Sequence, residues 1–123
     1  MTRRILVVED DASSRELMRD WLEGEEYDVA AADSLAAARA ALAGSAPVAV
    51  LLDVQLGAED GLELVRWMRR EPRLREVPVI AVTASVIPSH REKIFVAGCN
   101  ALVSKPVNFR LLRAELDRWL QPA

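Results

Sequence analysis

A doubly wound α/β domain of five strand–helix units, (βα)5, is predicted by three features of this 123-residue chain. Continuous apolar runs occur at Ile5-Leu6-Val7-Val8, Val48-Ala49-Val50-Leu51-Leu52 and Val79-Ile80-Ala81-Val82. They lack in–out alternation, as strands buried on both faces do. Segments with helical spacing separate them, and charged or hydroxyl residues follow them.

Two shorter segments, Tyr27-Asp28-Val29-Ala30-Ala31 and Ala101-Leu102-Val103, are more mixed and fit the edges of the same sheet. Between strands, Leu17, Met18, Trp21 and Leu22, and later Leu112, Leu116 and Trp119, recur at the spacing of one apolar helix face. Trp21, Trp67 and Trp119 pack on the sheet in this reading. Ser13-x-x-Glu16 and Ser89-x-x-Glu92 have capping-box spacing, and Ser34, Asp60 and Asn108 offer oxygens to a first turn. Stop signals stand at Gly24, Gly44, Pro72 and Gly98. The second helix, Leu35 to Ala43, is mostly alanine, and the last is expected to run to about Leu120. Right-handed crossovers then place helices on both faces of one sheet, with residues 1–123 forming one domain and no output domain.

Composition excludes several function classes. The net charge is only −3 and the basic residues form no stripe, so direct nucleic-acid binding is not expected. No apolar stretch approaches the ~20 residues that span a bilayer. One cysteine, Cys99, and no leader pattern point to a cytoplasmic protein, with Cys99 a small buried hydrophobe.

Ligands of open α/β sheets sit beyond the carboxyl ends of the strands. Those ends carry Glu9-Asp10-Asp11, Asp53, Thr83 and Ser104-Lys105-Pro106. Carboxylates crowded there repel unless a cation joins them, and an all-oxygen set suits Mg²⁺ with a phosphate-bearing ligand. An aspartate so placed can attack phosphorus, which makes Asp53 the candidate nucleophile. Thr83 and Lys105 fit as donors to phosphoryl oxygens. Asp11 reads as the cap of the first helix, and His90 as a surface residue.

With those residues in place, the chain resembles the receiver domain of two-component response regulators over nearly its whole length. Glu9-Asp10 match the family's acidic pair, Asp53 its phosphoacceptor, Thr83 its hydroxyl and Lys105-Pro106 its Lys-Pro pair. The resemblance implies a flavodoxin-like strand order, 2-1-3-4-5. It also implies Mg²⁺ held by Asp10, Asp53 and the Gln55 backbone carbonyl, with Glu9 acting through water. The implied donor is a phosphohistidine on a sensor histidine kinase or histidine phosphotransfer protein, and the Lys105–Pro106 bond is implied to be cis. Output is expected through the fourth helix, fifth strand and fifth helix, to a downstream protein. Catalysis is expected to stop at phosphoryl acceptance and autodephosphorylation.

Two positions depart from the pattern. Gly57 stands where D-x-x-M/L-P-x-x-D/N-G has proline, which predicts a more flexible loop. Leu102 stands where Tyr or Phe is usual, so a coupled hydroxyl–aromatic movement lacks its ring. Gln55 and Ser85 flank the acceptor and are candidates for tuning dephosphorylation. A phosphorylation-independent pseudo-receiver adaptor is the alternative reading. A dehalogenase-type phosphohydrolase would need a carboxylate where Gln55 stands. A flavin site would need an uncharged first loop in place of Glu9-Asp10-Asp11.

Overall fold

The computed structural model describes residues 3–85 and 87–120; the expected chain end at Gln121-Pro122-Ala123 lies outside them. The elements are β1 (Arg4–Val8), α1 (Ala12–Gly24), β2 (Asp28–Ala32), α2 (Leu35–Gly44), β3 (Ala49–Asp53), β4 (Gln55–Leu56), β5 (Glu59–Asp60), α3 (Leu62–Arg70), β6 (Val79–Thr83), α4 (Pro88–Ala97), β7 (Ala101–Ser104) and α5 (Phe109–Trp119). The main sheet is parallel, in the order β2-β1-β3-β6-β7. With the short β4–β5 pair set aside, this is the expected 2-1-3-4-5 order.

The apolar runs are continuous because successive side chains serve opposite layers. Leu6, Val8, Val50 and Leu52 pack with Leu35, Leu42, Leu64, Met68 and Ile94 beneath α2, α3 and α4. Ile5, Val7, Ala49 and Leu51 pack with Met18, Leu22, Leu112 and Leu116 beneath α1 and α5. Trp21 and Trp119 border that second layer and Trp67 the first. Truncating any of these buried leucines to alanine costs about 2–5 kcal/mol. Among the described residues no helix is long and apolar enough to cross a membrane.

Several local expectations are corrected. Helix α1 is capped by Asp11, whose carboxylate accepts from Ser14 N–H at 2.8 Å, so the Ser13 box is not used. Helix α4 begins at Pro88 with Ile87 in the cap position and no side-chain cap. A proline suits the first helical position because its missing N–H has no partner to lose, and it places Ser89 inside the helix. Leu17 is 57% exposed and lies off the buried face of α1. Ser34 and Asn108 do cap α2 and α5, and Asp60 accepts from Leu62 N–H.

The segment after Asp53, expected to be a looser loop, forms an antiparallel hairpin in which Gln55 faces Asp60 and Leu56 faces Glu59. Its two turn residues are Gly57 and Ala58, and only Gly57 has positive φ, at +58°. That is the pattern of a II′ turn, where glycine takes the first central position. From this hairpin Glu59 Oε1 accepts the Leu35 N–H of α2 at 3.1 Å. Arg69 ties the end of α3 to its surroundings by donating to the carbonyls of Leu74, Arg75, Val77 and Gly98 and to Asn100 Oδ1.

Candidate functional site

Four strands end at one edge of the sheet and deliver the site. Asp53 and Thr83 are the last residues of β3 and β6; Glu9-Asp10 and Lys105 follow β1 and β7 directly. Lys105 N–H donates to the Thr83 carbonyl at 2.8 Å, and the Lys105–Pro106 bond is cis. Gly61 lets the chain turn closely behind Asp53, since a Cβ there would fall 2.6 Å from the Asp53 carbonyl oxygen.

Glu9 is fully buried, and Asp53 and Thr83 nearly so. The Lys105 ammonium bridges the two acids, with Nζ 3.0 Å from both Glu9 Oε2 and Asp53 Oδ2. Their other oxygens also have donors. Asp11 N–H reaches Glu9 Oε1 and Gln55 N–H reaches Asp53 Oδ1, each at 3.1 Å. Thr83 Oγ1 accepts from Ser85 N–H at 3.1 Å, which leaves the threonine's own proton free to be donated.

These contacts work against desolvation. Burial raises the Glu9 carboxyl above its ordinary value, and the hydrogen bonds from Lys105 and Asp11 only partly offset it. For Lys105 burial acts downward, but hydrogen bonds and charge from Asp53 and Glu9 outweigh it and the ammonium is held above its ordinary range. Asp11, hydrogen-bonded at the Ser14 backbone, is lowered, as befits a helix cap. Cys99 is buried and its thiol is pushed up to about 12, so the small-hydrophobe reading holds.

The site can accommodate a hard cation. Ligand oxygens of Glu9, Asp10 and Asp53 all lie within 4.8 Å of one another. Two oxygens on one Mg²⁺ stand at most about 4.2 Å apart, twice its usual bond length, so only small side-chain adjustments separate this cluster from a ligand set. The cleft over it, about 270 Å³, is lined by Asp10, Asp53, Gln55, Gly57, Thr83, Ala84 and Lys105. Ser85 lies outside it, on an adjoining groove with His90.

Sequence reasoning missed two side chains here. His90 is exposed, yet its Nδ1 shares a 2.8 Å hydrogen bond with Ser85 Oγ. Arg15, in the first turns of α1, donates from Nη1 to the Glu9 carbonyl at 2.9 Å. Neither carries a sequence signal, because a histidine or arginine on a helix reads as solvated.

The sequence profile of the response regulator receiver domain matches residues 5–117. This chain belongs to that family. The receiver domain is 35% identical over 108 residues to the polar-differentiation response regulator DivK of Brucella ovis, a match covering 88% of each chain. Among solved structures it is similar to the receiver domain of a Pseudomonas aeruginosa PAO1 sensor histidine kinase, with 29% identity and a TM-score of 0.90 over 99% of this chain and all of that one. That relative is described with a magnesium ion coordinated in its active-site cleft. The chemotaxis regulator CheY4 of Vibrio cholerae, at 23% identity and a TM-score of 0.89 over 97% of this chain and 99% of that one, shares the fold. Receiver domains work between histidine kinases and downstream targets, and this chain is built as one of them.

Proposed function

We propose that this receiver domain accepts a phosphoryl group on Asp53 from a phosphohistidine of a sensor histidine kinase or phosphotransfer protein, and signals by altered protein contacts. One observation carries the reading: Asp53 is a buried carboxylate with a donor on each oxygen, clustered with Glu9 and Asp10 so that an oxygen of each lies within 4.8 Å of the others. In the step, an Asp53 oxygen bonds to phosphorus as the phosphorus–nitrogen bond to the donor imidazole breaks, and the imidazole leaves with the bonding electrons. Asp10, Asp53 and the Gln55 carbonyl would hold Mg²⁺ directly and Glu9 through water. The ion, when bound, neutralises phosphoryl charge and orients the incoming group.

Lys105 already stands against Asp53 and is the nearest fixed cation for the new phosphoryl oxygens. Thr83 supplies the free hydroxyl proton described above. Catalysis is confined to acceptance and loss of the domain's own phosphoryl group, since Gln55 offers no acid–base carboxylate for turnover. The contacting face is α4, β7 and α5, where Phe95, Val96 and Leu111 expose apolar surface.

Incubation with acetyl phosphate and Mg²⁺, followed by intact-mass and peptide analysis, should show one phosphoryl group on Asp53 and none in Asp53→Asn. No adduct from acetyl phosphate or any histidine kinase would overturn the reading. The adaptor reading draws on Leu102, which is half-buried against the α2–α4 layer and provides no switch ring. It predicts partner affinities unchanged by Asp53→Asn.

A further inference from the structure

The three acids are not equally held. Glu9 and Asp53 each have donors on both oxygens. Asp10 is exposed, and among the described residues its carboxylate makes no hydrogen bond or ion pair. Nor does packing brace it from the hairpin side, where Gly57 has no side chain; a Cβ there would stand 3.5 Å from Asp10 Oδ2. The backbone therefore fixes only the point and the Cα–Cβ direction from which this carboxylate reaches the site.

That backbone is held from α1. Arg15 Nη1 donates to the Glu9 carbonyl at 2.9 Å, with a longer contact of 3.4 Å to the Asp10 carbonyl. The two carbonyls belong to the peptide planes on either side of the Asp10 Cα, so one guanidinium restrains both. The Arg15 backbone is itself fixed, because its N–H donates to the Asp11 carbonyl at 2.9 Å in the first helical bond of α1. Glu9 N–H anchors the same turn to the Ala32 carbonyl at the end of β2.

We propose that Arg15 is the positioning residue of the metal-binding turn: by clamping the backbone around Asp10 it sets how tightly the site takes Mg²⁺. The inference rests on the receiver reading above. Charge and position predict opposite signs. As a cation beside a cation site, Arg15 opposes Mg²⁺, so a purely electrostatic role has Arg15→Ala binding Mg²⁺ more tightly, by an amount that salt screens. As a clamp it favours Mg²⁺, which demands near-octahedral oxygens and gives up water reluctantly. Outer-shell residues that orient ligands are worth about tenfold or more in metal affinity, and the guanidinium is partly exposed, so position wins.

The test is calorimetric titration of the intact protein with MgCl₂ at low and high salt, with thermal melts alongside. Arg15→Ala should bind Mg²⁺ about tenfold more weakly at both salt concentrations. Arg15→Lys should fall between, because an ammonium donates to one carbonyl without the planar fork. Arg15→Ala binding as tightly as wild type, or more tightly, overturns the proposal, as does a lowered melting temperature with unchanged affinity. If Arg15→Ala does not fold, Arg15→Met keeps the aliphatic stem and the same outcomes apply. Wild type binding no Mg²⁺ at millimolar concentration defeats the receiver reading itself; wild type binding with an unaffected variant defeats only this inference.

Discussion

Helices α1 and α4 each begin a few residues after a strand end that carries site residues, Glu9-Asp10 for α1 and Thr83 for α4, and they are built in opposite ways. At α1 the Asp11 carboxylate takes Ser14 N–H, Glu9 takes Asp11 N–H, and Arg15 reaches back to the Glu9 carbonyl. At α4 no side chain caps the first turn; the local ties are an exposed Ser85–His90 hydrogen bond and a 3.4 Å contact from Ile87 N–H to Ser85 Oγ. Uncapped N–H groups fall to water, which stabilises a helix end less than a fixed acceptor does. The difference teaches that the turn carrying Glu9 and Asp10 is tied down by side chains, while the start of α4, which the proposed function places beside the contacting face, has fewer fixed acceptors to lose on rearrangement. A phosphoryl group that shifts a two-state equilibrium needs such a low-cost element to act on.

The largest expected effect breaks the tied side. Lys105→Ala leaves Glu9 and Asp53 buried without their shared cation and should destabilise the metal-free protein by about 2–3 kcal/mol in urea unfolding, with Mg²⁺ restoring part of the loss. Next, the caps can be exchanged. Asp11→Ala should cost about 1 kcal/mol, whereas Ile87→Asp, in the extended conformation a cap requires, should add about 0.5–1 kcal/mol and narrow the difference between the two helices. A stabilised α4 that left the response to beryllofluoride unchanged, measured by partner binding, would refute the idea that its loose start matters.

The smallest effect concerns pH. The Glu9 carboxyl lies above its ordinary value of 4.5 because it is buried. Its contribution to stability is thus fully present below the ordinary range and lost as pH rises through the raised value. Glu9→Gln, permanently neutral, should melt a few degrees higher than wild type at pH 7 in EDTA, and the gap should close on acidification. A gap independent of pH would assign the effect to packing.

Much of this was legible in the sequence for a physical reason. Strands buried on both faces announce themselves as unbroken apolar runs, and residues that interrupt them, such as Asp53 and Thr83, stand out against that background. What stayed hidden depends on pairing across the chain. Arg15 acquires its role only when the acidic turn folds over α1, and Glu59 only when the hairpin reaches α2, 24 residues away in sequence. The hairpin itself lacks an Asn-Gly or Asp-Gly signature. Capping boxes misled because the caps are Asp11 and Ile87, two residues before Ser13 and Ser89.

The turn at Gly57 bears on how this domain can be exchanged with its relatives. A proline ring confines φ to about −65°, so proline cannot enter a position held at +58° without unmaking the hairpin. The two versions of the loop are therefore alternative backbones, not neighbouring sequences. Grafting a proline-bearing loop here would unmake the hairpin that brings Glu59 to the Leu35 N–H of α2, so loop and helix must be transplanted as one unit.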